Sequence, residues 1–219
     1  RFHYGALQTR RGFNIYANIL IMEKTAKTGN NNLHPHLKNR WSPRAFEDKP
    51  IEVQKLRNIL EAARWAPSAS NIQPWVYIIG MKEDETYAGI FSTLVEFNQL
   101  WAGFAPVLIL NCGKTTNPKG DPNPTWQYDT GQSVAHLSIQ AIEEGLYVHQ
   151  MSGFDALKAA EIFRLPEDVR AISVSAIGYP GDPSMLPLRM QKAETAERER
   201  KEMDTFVFSE TFGTKSGII

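Results

Sequence analysis

Apolar, strand-like runs alternate along this chain with helical patterns, and that alternation restricts it to a sheet wrapped by helices, of α/β or α+β class. The strand-like runs are WVYIIG (75–80), the fully apolar PVLILNC (106–112), YVHQM (147–151) and VRAISVSAIGYP (169–180). Between them, IEVQKLRNILEAARW (51–65) places Val53, Leu56, Ile59, Leu60 and Ala63 at helical spacing, and Pro67 stops it. DETYAGIFSTLVEFNQLW (84–101) reads as a second amphipathic helix and FDALKAAEIF (154–163) as another. YDTGQSVAHLSIQAIEEGL (128–146) is apolar nearly all round, which predicts a central helix ended by Gly145. A short helix is expected over Pro35–Arg40, and KTTNPKGDPNPT (114–125) is a loop.

With 219 residues the chain has room for one domain or a compact two-lobed one. Residues 33–219 are read as a single domain and 1–32 as a leader or polar linker. The first 21 residues carry Arg1, Arg10 and Arg11 and no acid, loosely like a transit peptide; a non-native or upstream-translated leader, with Met22 as the start, is the preferred reading. Lys plus Arg equals Asp plus Glu at 24 each, so no global field draws nucleic acid or an anionic membrane, although a local basic patch remains open. No apolar run reaches the ~18 residues of a membrane-spanning helix. A single cysteine, Cys112, excludes an internal disulfide and fits a reducing, cytoplasmic compartment.

Nucleotide-cradling glycine motifs and the serine-hydrolase elbow are missing. His34 and His36 lie in a polar linker without further ligands, which argues against a metal. His136 and His149 read as hydrogen-bonded core or interface residues, and Cys112 as a buried inert thiol. Two basic clusters stand out: Arg40-Trp41-Ser42-Pro43-Arg44, and Arg198, Arg200 and Lys201 in the tail. Guanidinium forks match phosphate oxygens, and a hydroxyl adds a donor; a solvated basic face is the bland alternative. Two turns of small residues accompany them: Ser68-Ala69-Ser70-Asn71, which Trp65 and Trp75 are expected to fix on the core, and Ser152-Gly153 after Met151. Such a set suits a ligand with a phosphate at one end and a polar heterocycle at the other. In the tail, the charged MQKAETAERERKEMD (190–204) precedes the aromatic FVFSETFG (206–213), an arm that packs either on another subunit or on its own domain.

These residues resemble the FMN-dependent nitroreductase family. RWSPRAF is similar to its R-R-S-x-R-x-F pattern, and LRNILEAARWAPSASNIQPWVYIIG to its A-P-S-x-x-N-x-Q-P-W block. NQLWAGFAPVLI, YDTGQSVAHLSIQAIEEGLYVHQMSGFD, AIGYP and ERERKEMDTFVF follow in the family's order, over about residues 35–212. The resemblance implies an α+β fold with a central, mainly antiparallel sheet wrapped by helices and a C-terminal arm packing on the partner subunit of a homodimer. It implies FMN at the subunit interface and no catalytic side chain. NAD(P)H would pass a hydride through flavin N5 to a nitroaromatic, quinone or similar small acceptor in a ping-pong cycle. Arg40, Trp41, Ser42 and Arg44 fall at phosphate and ribityl positions. Ser68, Ser70 and Asn71 fall in the loop given to the partner's flavin; Met151, Ser152 and Gly153 in the segment facing N5 and O4; and Arg198, Arg200 and Lys201 at the tail's phosphate contact.

Some positions depart from the pattern. Trp41 replaces a basic residue, Glu202 a proline, and His136 falls near an asparagine; Leu100 lies where some members place a lysine near flavin N1. Without that lysine, charge near N1 falls to Arg44 or backbone donors. A specialised flavin enzyme of dehalogenase or dehydrogenase type, with 114–125 as its lid, is an alternative. A flavin-binding module without turnover is another, and a binder of a different phosphate compound a third.

Overall fold

The computed structural model describes residues 24, 26 and 32–219. Most of the expected leader therefore lies outside the described residues. Of its described members, Lys24, Ala26 and Asn32, the first two fold back on the domain, with Ala26 N–H donating to Lys38 O at 2.9 Å.

Four strands form one antiparallel sheet: β1 (Trp75–Met81), β2 (Val107–Lys114), β3 (Tyr147–Met151) and β4 (Val169–Gly178), in the order β1-β2-β4-β3. The fold is α+β, a mainly antiparallel sheet wrapped by helices. β2 is buried at every residue before Lys114 because both faces of the sheet are covered. The period-two alternation sorts its side chains. Val107 and Ile109 join Leu56, Ile59 and Ala63 of α2 (Val53–Arg64) and Leu137 and Ala141 of α5 (Trp126–Glu143). Leu108, Leu110 and Cys112 face a second core. That core holds Ile90 of α3 (Glu85–Thr93), Trp101 of α4 (Glu96–Ala102), Ala159 of α6 (Ala156–Ile162) and Met190 of α7 (Leu188–Thr195). The short α1 (Pro35–Asn39) precedes them all.

Three expectations need correction. The helix expected over 84–101 is two, because the backbone at Leu94–Val95 turns extended to bridge Phe154 and to donate from Val95 N–H to Gly153 O at 3.1 Å. A tertiary pairing thus overrides local helical pattern. α5 is one-faced rather than apolar all round: Val134, Leu137 and Ala141 are buried, Ala135 and His136 exposed. Trp65 is 71 % exposed, its indole N–H donating to Glu61 at 2.8 Å, and Trp75 is half-buried, so Trp65 does not fix the turn on the core. Cys112 is buried, and burial pushes its thiol up to about 12.

In the C-terminal arm Phe208 pairs with Lys215 in a single bridge, while Phe206 and Phe212 are 59 % and 95 % exposed. Phe206 and Phe212 are therefore not packed on the domain, whereas Val207 and Phe208 are half-buried.

One contact fixes how α3 sits on the sheet. A Cβ at Gly80 of β1 would fall 2.4 Å from the Tyr87 N and Cα atoms. Backbone cannot give way as a side-chain tip can. Gly80→Ala is expected to destabilise the fold by about 2–3 kcal/mol in urea denaturation; an unchanged midpoint would show that α3 lifts freely.

Candidate functional site

The segment Arg40–Phe46 leaves α1 because Arg40 is extended (φ −62°, ψ 124°) after its N–H closes on His36 O at 2.9 Å. Pro43 and Pro50 bracket the segment in sequence, and a proline disfavours helix in the residue before it. Phe46, fully buried, stacks on Trp101 with ring centroids 6.4 Å apart. Two further contacts pin the segment. His149 of β3 donates its Nδ1–H to Pro43 O at 2.9 Å. Glu194 of α7, only 2 % exposed, accepts the N–H of Arg44 at 2.7 Å and of Ala45 at 3.0 Å through one carboxylate oxygen. The Arg44 guanidinium lies 5.9 Å from the centre of Trp101, whose ring is 4.4 Å from that of His149.

That carboxylate draws the tail onto the segment and brings three arginines together. Burial first, then repulsion from Arg200, holds Arg40 below the usual guanidinium range. Burial, then Arg40 and Arg200, does the same to Arg198. Arg40 Nη1 donates weakly to Ser42 Oγ at 3.4 Å, and Arg198 Nη1 donates to Lys24 O at 2.8 Å and Lys38 O at 2.7 Å. Lys24 Nζ lies 4.5 Å from the centre of the Trp41 ring, and Trp41 meets Tyr147 edge-on at 6.1 Å. Arg44 Nε and Glu194 Oε2 are buried without a hydrogen-bond partner. Like charges that gather where water is scarce raise the energy of the unliganded protein. An acceptor-rich anion removes that penalty. Lys201 is exposed and takes no part in these contacts.

At the far end of β3, Met151 is buried and Ser152 exposed. Gly153 is held from two sides, with Val95 N–H and Asn98 Nδ2 both donating to its carbonyl, the latter at 2.9 Å. A cavity of about 310 Å³ opens beside this turn, lined by Asn111, Thr130, Val134, Gln150, Met151 and Ser152 among others. Asn111 and Cys112 pair with Ser173 and Ala171, so β4 bulges at Ile172 on the cavity wall. Asn111 Oδ1 and Thr130 Oγ1 are buried there without partners.

Ser68, Ser70 and Asn71 lie elsewhere in the protomer. Ser70 (φ 50°), Asn71 (φ 56°) and Gln73 (φ 53°) adopt left-handed backbone, unusual outside glycine. Ser68 Oγ accepts Gln73 N–H at 3.0 Å, and Asp129 at the start of α5 accepts Ala69 N–H at 3.2 Å. Ser70 and Asn71 point out as a held, exposed tip. Within one protomer the loop's hydrogen bonds tie it to α5, not to the arginines. His36 meets Glu143 at 2.8 Å.

Glu194, His149, Trp101 and Lys24 were not singled out by the sequence as site residues. Met190 and Glu194, four apart on α7 and both buried, would have marked a carboxylate on an inward face. Trp101 is fully buried against His149, whereas Leu100 is 37 % exposed.

Two outcomes are expected. Burial above all, with Arg44 beside it and against the bond to Pro43, lowers His149 from its usual 6.5 to about 4. The neutral ring is favoured in the folded state, so its contribution is complete above pH 6.5 and is lost as pH falls toward 4; the loss is about 3 kcal/mol at most. His149→Gln, which still reaches Pro43, should flatten the stability profile in that window, and an unchanged slope would contradict the assignment. Glu194→Ala strands the N–H groups of Arg44 and Ala45 and should cost about 2–4 kcal/mol in chemical denaturation, with Glu194→Gln losing less.

Against known proteins, a model of the Nitroreductase family matches residues 37–98. An uncharacterized 15.4 kDa protein from the ask 5′ region of Mycolicibacterium smegmatis is 32 % identical over 133 residues, 59 % of this chain and 86 % of that one. A protein of Archaeoglobus fulgidus, provisionally named an NADH dehydrogenase/NAD(P)H nitroreductase, is 28 % identical over 153 residues, 65 % of this chain and 82 % of its own. A solved structure of an oxidoreductase containing FMN superposes with a TM-score of 0.81 at 32 % identity, covering 86 % of this chain and 97 % of that one.

Proposed function

The chain belongs to the nitroreductase family of oxidoreductases, and from that premise we propose that it binds FMN and transfers two electrons from NAD(P)H to a nitroaromatic, quinone or similar small acceptor. The observation that carries the reading is the convergence of the Arg40–Arg44 segment with the tail, through Arg198 Nη1 on Lys38 O at 2.7 Å and Glu194 on the Arg44 and Ala45 N–H groups, with Arg40 depressed by burial and Arg200, and Arg198 by burial, Arg40 and Arg200. A phosphate monoester, with up to two negative charges, is the group that such a cluster suits. The buried, unpartnered Nε of Arg44 adds a fixed donor beside it. The residues present therefore fit FMN at its phosphate end.

When bound, the flavin supplies hydride acceptance and donation at N5. The protein's share is binding, orientation and exclusion of water. Arg40, Arg198 and Arg200 hold the phosphate, with Ser42 next to them. Trp101 and His149 give Arg44 a flat, apolar wall that limits its motion. Ser152 and Gly153 offer backbone N–H groups at the ring end, and the grip of Asn98 and Val95 on Gly153 keeps that turn in place. No protein acid or base is needed, in keeping with a neutral His149 and a thiol at Cys112 that stays protonated.

Ser70 and Asn71 complete the reading as residues supplied to a second protomer's cofactor in a homodimer. Their left-handed, exposed tip is held at the start of α5 through Ala69 N–H and Asp129. The exposed Trp65, Tyr128 and Phe212 furnish apolar surface for such an assembly. Among the described residues no helix is long and apolar enough to cross a membrane.

Purified protein is expected to be yellow, or to become so with added FMN, and to bleach on anaerobic titration with NADH or NADPH. A colourless protein that takes up no FMN would overturn the reading. Arg40→Ala with Arg200→Ala should weaken FMN binding about 100-fold or more while leaving riboflavin, which lacks the phosphate, nearly unaffected.

A further inference from the structure

We propose that Lys24, from the segment before α1, is a phosphate-binding residue of the same cationic cluster, seated there by the Trp41 ring and by Arg198. The inference rests on reading that cluster as the phosphate site. Three contacts hold the position. Lys24 O accepts Arg198 Nη1 at 2.8 Å, Lys24 Nζ donates to Ala193 O at 3.2 Å near the end of α7, and Nζ lies 4.5 Å from the centre of the Trp41 ring. The neighbouring Ala26 N–H closes on Lys38 O, the same carbonyl that accepts from Arg198. The segment and the tail arginine are therefore fastened to a common point.

The seat is one that an ammonium tolerates without an anion but does not need to occupy. The carbonyl at a helix C-terminus and an aromatic face both attract a cation. Ala193 O takes one of the three ammonium hydrogens, which leaves donors for an anion. Burial lowers the lysine's affinity for its proton, Glu194 partly restores it, and Arg198 and Arg44 lower it again, so this ammonium lies in the field of Arg198 and Arg44 beside the Glu194 carboxylate. Glu194 attracts the ammonium while Arg198 and Arg44 repel it, and an anion shared with those arginines would remove the repulsion and leave the attraction of the seat.

The staple and the ligand role part company on one substitution. Lys24→Gln keeps much of the stem and a donor for Ala193 O but removes the charge. Flavin fluorescence titrations of the full chain with FMN and with riboflavin read the difference. FMN binding is expected to weaken about three- to tenfold, with a flatter dependence on salt, while riboflavin binding is unchanged and Lys24→Arg retains the FMN affinity. Equal FMN affinity in Lys24→Gln and the unaltered chain, or equal losses for FMN and riboflavin, would overturn the proposal. If the unaltered chain itself fails to prefer FMN over riboflavin, the phosphate-site reading falls and this inference with it.

Discussion

The buried carboxylate of Glu194 is the constraint on which the candidate site depends. One oxygen accepts two backbone N–H groups of the Arg44–Ala45 segment, and the helix that carries it continues into the tail bearing Arg198 and Arg200. A charge so buried is costly unless it is hydrogen-bonded and near cations. Glu194 meets both conditions, and in doing so it forces the start and the end of the domain together. Left to themselves, Arg40, Arg198 and Arg200 would separate by repulsion. The clamp holds them close before any ligand arrives, so an anion finds its donors already gathered and binding costs less ordering.

The sheet supplies the second coordinate. β3 is an edge strand, and it touches the site at two places. Tyr147 and His149 stand beside Trp41, Trp101 and Pro43 at its start, and Ser152–Gly153 follow its end. At about 3.3 Å per residue these places are roughly 16 Å apart, the scale of an extended nucleotide-sized ligand. Leu94 and Val95 interrupt what would otherwise be one helix in order to grip the second place. A helix break and a strand end thus share one purpose, to fix the turn at Gly153. No Cβ is tolerated there without moving Asn98, since one would lie 2.8 Å from its Nδ2.

Much of this was legible in the sequence, and most of the part that was not has a common cause. All four strands, α2, α5 and α6 follow from apolar periodicity, and the inert Cys112 from its apolar run. Arg40, Ser42, Arg44, Arg198 and Arg200 were legible as basic clusters, though their proximity was not. The break at Leu94, the exposure of Trp65 and the burial of Glu194 were hidden. The first and the last are decided by partners far along the chain, Phe154 for Leu94 and the Arg44–Ala45 amides for Glu194, whereas Trp65 is turned outward to the nearby Glu61. Within MQKAETAERERKEMD, Glu194 looks like any other acid of a solvated face, and only the spacing from Met190 betrays it. Lys24 was set aside with a polar linker, whose local sequence carries no sign of a distant arginine.

Trp41 ties these threads together. In the family pattern a basic residue stands between Arg40 and Ser42; here an indole does, packed edge-on to Tyr147 with a lysine from outside the motif above its face. An aromatic residue at that point gives up a charge but gains a rigid surface, and a rigid surface can recruit a charge from elsewhere in the chain. On the proposal made for Lys24, a charge absent from the motif at Trp41 is supplied by the segment ahead of it. On the proposed reading the same logic applies to the loop at Ser70 and Asn71, whose left-handed tip would serve a neighbouring protomer at the ring end. A site assembled from separate pieces of chain depends less on any one motif than on the buried contacts that align the pieces, and in this protein those contacts are Glu194 with the Arg44–Ala45 amides and His149 with Pro43.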